Sequence, residues 1–175
     1  MVDDLPRAVA KLPVSLDRAT SPQASDGVGG AEGARPAETR IIDPWGNNFD
    51  LSSRGFLGRE EKRLPGVRLV VIQVPDVEAS REFYQGQFEL PLLGRYADGS
   101  VRLSDGTITI KLTREQSRAK SGIQYFGIQV AQFASRKDSL RTAGVAFAGE
   151  SAGKIRLRDP EGNVAVVSEQ SWAKG

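Results

Sequence analysis

"IRLRDPEGNVAVVSEQSW", residues 155–172, reads as strand, turn, strand and a closing aromatic. Asp159-Pro160-Glu161-Gly162-Asn163 is tight-turn chemistry: proline presets one dihedral and glycine accepts a positive φ. A near-copy, "IIDPWGNNFDLSSRGF", occupies residues 41–56, with Ile41–Ile42 and Asn48–Leu51 flanking Asp43-Pro44-Trp45-Gly46-Asn47. The flanks "FDLSSRGF" and "VAVVSEQSW" agree in period and in the final aromatic.

Outward from this hairpin the pattern repeats. "IQYFGIQV", residues 123–130, has the length and shape of "VRLVVIQV", residues 67–74. Both are apolar on two faces, as strands of a covered sheet are. A helix follows each. Asp76 is a suitable cap for "VEASREFYQGQFEL", whose Val77, Ser80, Tyr84 and Phe88 share one side with Phe83 beside them. "SRKDSLRTAG" is the second helix, with Gly144 as its stop. Strands fill the rest: "PLLGRYADGSVRLSDGTITIKLT" holds several, with "SDG" as a hairpin turn, and "KIRLR" and "VAVVS" flank the last turn. Earlier in the chain, "DDLPRAVAKLPVSLDRA" is helical in character, though Pro13 argues against one unbroken helix. Residues 19–39 form a Gly-rich loop, and residues 57–64 a charged linker.

Composition excludes several chemistries. The 175 residues carry 24 Lys and Arg against 22 Asp and Glu, a net charge of +2. That balance gives no strong field for nucleic acid or an anionic membrane, so neither is expected as a partner. There is no cysteine and no histidine, which removes disulfides, thiolate sites and the commonest general base. No run of 18 apolar residues occurs, so no membrane span is expected, and a cytoplasmic location is.

"VVIQVPDVEASREFY" (70–84), "IQYFGIQV" (123–130) and "RDPEGNVAVVS" (158–168), in this order and spacing, resemble the vicinal oxygen chelate superfamily, which includes glyoxalase I, extradiol dioxygenases and bleomycin-resistance proteins. The resemblance implies an α+β fold in which paired βαβββ modules form a curled mixed sheet around a small-molecule cup, over residues 65–172. It also explains the near-copy. Residues 1–56 correspond to the C-terminal half of such a domain: 2–14 match 130–142, and 40–56 match 156–172. The expected organisation is a tandem repeat whose first copy is incomplete.

Metal-using members of that superfamily bind a divalent ion on strand positions that fall here at Leu69, Tyr125 and Val166. Leu and Val have no donor atom, and a neutral Tyr is a poor one. The earlier half-repeat places Asp50 at the matching position, but one carboxylate is not a site. No metal and no cofactor is therefore expected, and no catalytic residue is assigned. Strand alternation sets the cup face instead: Leu69, Val71 and Gln73; Thr109 and Lys111; Tyr125, Gly127 and Gln129; Val164 and Val166. Gly127 would leave room for a ligand. Gln73 and Gln129 serve either a ligand or backbone groups in a domain seam. Lys111, Arg102, Arg156 and Arg158 are expected on solvated strand faces.

Such a wall suits an amphipathic or aromatic molecule. The leading reading is a small-molecule binding protein of this fold without the family metal site. One alternative is a glyoxalase- or dioxygenase-like enzyme whose metal site lies in a missing N-terminal half or a partner chain. Another is a structural or regulatory partner whose cup is filled by side chains. An incomplete repeat exposes sheet edges, so a homo-oligomer, or pairing with another copy of the domain, is expected.

Overall fold

The computed structural model describes residues 38–52, 64–115 and 122–173. The chain divides into two compact units, Met1–Arg59 and Glu60–Gly175. The helix expected before residue 19, most of the Gly-rich loop and the linker up to residue 63 lie outside the described residues.

In the first unit, β1 (Glu38–Ile42) and β2 (Asn48–Ser52) form a two-stranded antiparallel sheet. Glu38 and Thr39, placed in the loop by composition, pair with Ser52 and Leu51, so the strand starts earlier than its apolar residues indicate. Asp43 builds the turn. Its Oδ1 accepts from the Trp45 and Asn47 amides at 2.9 and 2.7 Å, and its Oδ2 from Asn47 Nδ2 at 2.8 Å. Gly46 completes it at φ 86°, a value that a residue with a Cβ adopts only under strain.

The second unit contains β3 (Gly66–Val74), α1 (Val77–Phe88), β4 (Leu92–Arg95), β5 (Val101–Ser104), β6 (Thr109–Arg114), β7 (Gly122–Gln129), α2 (Phe133–Thr142), β8 (Phe147–Ser151), β9 (Lys154–Arg158) and β10 (Val164–Ser168). The strands make one open, mixed sheet in the order β4-β5-β6-β3-β7-β10-β9-β8. This is two βαβββ modules joined back to back. In each, the first strand lies parallel to the last: β3 with β6, and β7 with β10. The modules meet where β3 and β7 run antiparallel. The α+β curled sheet that the resemblance implied is the architecture observed.

The helices cover one sheet face. Asp76 caps α1 by accepting from the Glu78 and Ala79 amides at 2.9 and 3.0 Å. Val77, Ser80, Phe83 and Tyr84 then recur at helical spacing and are all buried. Phe88, expected beside them, is half-buried, with its ring edge-on to Phe83 at 5.7 Å. Helix α2 begins at Phe133, two residues before the expected start, because that ring joins Leu140 and Phe147 around buried Val130, Ile155 and Val167. It ends at Thr142, and Gly144, just beyond the Ala143 cap, donates its amide to the Arg141 carbonyl at 2.9 Å. Among the described residues no helix is long and apolar enough to cross a membrane.

Candidate functional site

On the sheet face away from the helices, three strands converge. Leu69 on β3 lies opposite Gly127 on β7, and Val71 opposite Tyr125. Val166 on β10 lies beside Gly127. Alternation along each strand sends Leu69, Val71 and Val166 into one buried cluster, with Tyr125 packed against it. The three positions that the resemblance singled out therefore meet.

The fourth member of that cluster is Trp172, 5% exposed, which the chain folds back onto the sheet after β10. Two features hold it there. Thr109 Oγ1, fully buried on β6, donates to the Trp172 carbonyl at 3.1 Å. Gly127 provides a bare backbone on which the indole lies: a Cβ built there would come within 2.8 Å of Leu69 Cβ and 3.1 Å of two indole carbons. The space opened by Gly127 is thus occupied by the protein's own side chains rather than left for a ligand. That packing also accounts for Thr109.

Above this floor lies a cleft of about 490 Å³. Leu69, Tyr125, Val166 and Trp172 form its apolar part, and Arg102, Lys111, Lys154 and Arg156 its charged part. Of the positions named from sequence, Leu69, Lys111, Tyr125 and Val166 line it. Val71 is buried beneath it, and Gln73 is 5% exposed. Gln129 Nε2 donates to the Glu169 carbonyl at 3.4 Å, and Val164 is half-buried beside the last turn. Arg158 folds back to donate to the Gly162 carbonyl at 3.1 Å.

Arg102, read from sequence as solvated, is half-buried, and Arg156 is exposed as expected; both face the cleft, and Lys154 and Trp172 join them without having been singled out. Alternation in "KIRLR" does carry part of that signal: Ile155 and Leu157 pack toward α2, so Lys154 and Arg156 must point the other way. The curl of the sheet, which makes that other face concave, has no such signature.

The electrostatics are one-sided. Arg102 and Lys111 are directly opposite on β5 and β6. The Arg102 guanidinium lies 4.7 Å from the centre of the Tyr96 ring, and Lys111 Nζ 5.7 Å from it. Lys111 is 3.5 Å from the Asp98 carboxylate, an exposed group held below the usual carboxylate range chiefly by the Ser100 hydroxyl. Among the described residues one acid lines the cleft, Glu150; it is bound by Lys137 and Arg141 of α2 at 2.7 Å each, and Lys137 foremost lowers its pKa.

A divalent ion does not fit this site. Leu69 and Val166 offer only carbon and Tyr125 one phenol, while the charged groups nearby are cations. Among the described residues no three His, Cys, Asp or Glu side chains are grouped as an ion requires.

The second hairpin also repeats the first in detail. Asp159 Oδ1 accepts from the Glu161 and Asn163 amides at 3.0 and 2.8 Å, and Oδ2 from Asn163 Nδ2 at 2.8 Å. Gly162 has φ 92°. Arg156 pairs with Val166 as Arg40 pairs with Asp50, at the same distance from the turn.

Comparison with known proteins agrees with the fold. The described chain is similar to the Mn(II)-bound glyoxalase from Novosphingobium aromaticivorans (15% identity, 75% of this chain and 48% of that one, TM-score 0.57). It is similar to the 2,3-dioxygenase LapB from Pseudomonas sp. KL28 (19% identity, 59% and 40%, TM-score 0.51). It is also similar to methylmalonyl-CoA epimerase from Mycobacterium tuberculosis (19% identity, 59% and 86%, TM-score 0.50). The chain thus spans less than half the length of the dioxygenase and of the glyoxalase. At these identities the likeness is one of fold. Comparison with curated proteins finds no match. The sequence model of the glyoxalase/bleomycin resistance protein/dioxygenase superfamily matches residues 66–167, more than half of the chain, and the protein belongs to that superfamily.

Proposed function

We propose that residues 65–172 form a small-molecule binding domain that holds an aromatic or amphipathic compound without a family-type metal ion. One observation carries this reading: Leu69, Tyr125 and Val166 meet at the bottom of an open cleft, where they present carbon and a single phenol. A floor of that kind takes up an apolar ring by burial, and a cleft of this volume lies in the range of small-molecule sites. The donor set gives no support to a metal-dependent lyase or dioxygenase activity of this domain. Residues 1–56 are read with it as the closing half of a second copy. The matched turn networks of Asp43 and Asp159 support that reading. Pairing with another copy of the domain follows from the same reading.

Titration of the full chain with naphthalene-based fluorescent dyes tests the function. The expected result is saturable binding of one dye per chain, with an affinity unchanged by EDTA or by added Mn(II). Failure of every dye to saturate, or binding that requires the metal, would overturn it.

A further inference from the structure

We propose that the ligand is an organic anion: a planar apolar body bearing a carboxylate, sulfonate or similar group. The inference rests on the binding reading above and assigns the sign of the charge that the cleft takes. Four cations face it, and they come from opposite ends of the curled sheet: Arg102 and Lys111 from β5 and β6, Lys154 and Arg156 from β9. Among the described residues, Arg102, Lys154 and Arg156 form no ion pair.

Three details set this charge, and Arg102 above all, apart from the ordinary solvated charge of a strand face. First, Arg102 and Lys111 are like charges in direct cross-strand register, an arrangement that costs stability unless an anion sits between or above them. Asp98 answers only Lys111, across 3.5 Å. Second, Arg102 Nε is buried and has no hydrogen-bond partner, whereas a guanidinium has five donors in a fork suited to an oxyanion. Third, among the described residues the only carboxylate lining the cleft is already bound by two cations of α2 and does not offset the other four.

The aromatic rings complete the arrangement. Arg102 lies over Tyr96, and Arg156 lies 5.7 Å from the centre of the Tyr125 ring. Each ring restrains a guanidinium while leaving its edge free for a bidentate contact. Tyr125, Val166 and Trp172 lie below, so a ligand that places its apolar body on the floor brings an attached anionic group to the level of Arg102 and Arg156.

Anilinonaphthalene sulfonate and its neutral parent phenylnaphthylamine differ only in the sulfonate. With the wild-type chain, the sulfonate should bind at least about tenfold more tightly, the size of one charge-assisted hydrogen bond. Its affinity should fall with added salt while that of the neutral dye holds. Arg102→Gln and Arg156→Gln should each weaken the sulfonate about tenfold and leave the neutral dye unaffected. Equal affinity for the two dyes would overturn the anion assignment and leave the binding function standing. Binding of neither dye would overturn both. Because the dye comparison uses the unaltered chain, it decides the question even where a substitution prevents folding.

Discussion

The two βαβββ modules share a topology and differ in how their helices meet the sheet. Helix α1 buries Val77, Ser80, Phe83 and Tyr84, whereas α2 touches the sheet through Phe133 and Leu140, both only half-buried. The edge strands differ in the same sense. In β4 two of four residues are exposed, and in β8 four of five are. A duplicated fold has thus become asymmetric: the first module concentrates the packing, and the second supplies the exposed β8–β9 wall of the cleft. Burial in the first module stabilises the chain by roughly 1.5–3 kcal/mol per large apolar side chain. The second module carries Lys154 and Arg156 on that wall, and the first carries Arg102 and Lys111 opposite them.

The sharpest way to break this contrast is to truncate one anchor in each module. Tyr84→Ala removes a ring that is 1% exposed and in contact with Phe83 and Phe88. It should cost about 3–5 kcal/mol. Leu140→Ala, at a half-buried site, should cost about 1–2 kcal/mol. Urea unfolding midpoints measure both, and equal losses would mean that the modules are energetically alike.

A smaller effect is expected from two glycines. A methyl at Gly127 meets Leu69 and the Trp172 indole below ordinary contact distance, whereas a methyl at Gly94 meets only the Tyr96 ring, at 3.8 Å or more. Gly127→Ala should destabilise by about 1–3 kcal/mol through overpacking. Gly94→Ala should stay within about 0.5 kcal/mol. Thermal unfolding of the pair locates the tight point at the junction of the modules. A neutral Gly127→Ala would show that Trp172 yields easily.

The smallest expected effect compares two surface glutamates. Glu78 of α1 binds Arg95 of β4, and Glu150 of β8 binds Lys137 and Arg141 of α2, so each ties a helix to its own edge strand. Hydrogen bonds from Arg95 and then Arg81 lower the Glu78 pKa from 4.5 to about 2, and Glu150 is lowered too, by Lys137 first. A depressed pKa contributes stability above the unfolded value, and this is lost as pH falls through the folded one. Both carboxylates are exposed, so screening keeps the contribution small. Glu78→Gln should therefore flatten the fall of the unfolding temperature between about pH 4.5 and 2, where its folded and unfolded forms differ in protonation. An unchanged slope would remove the ion pair from the account of stability.

Much of the fold could be read from local chemistry. Asp76 announced α1, Gly144 ended α2, and Asp159 with Gly162 and Asn163 wrote its own turn. These signals act over four or five residues and do not depend on the rest of the chain. The cleft was only half legible. Period-two alternation placed Leu69, Tyr125 and Val166 on one face, and Lys111 with them. It could not show that the sheet curls, which makes the Arg102 and Arg156 face concave. Nor could it show that Trp172 returns across 63 residues of sequence to Thr109. Both depend on contacts distant in sequence, for which no local pattern codes.

The seat of Trp172 has a practical consequence. One part of the cleft floor, Trp172, belongs to a tail that lies across the sheet, held by packing and one hydroxyl, and not to a strand woven into it. The depth of the cleft there is therefore set from outside the β-ladder. Removing that single indole would deepen the hollow by the bulk of a two-ring aromatic without breaking one strand pairing.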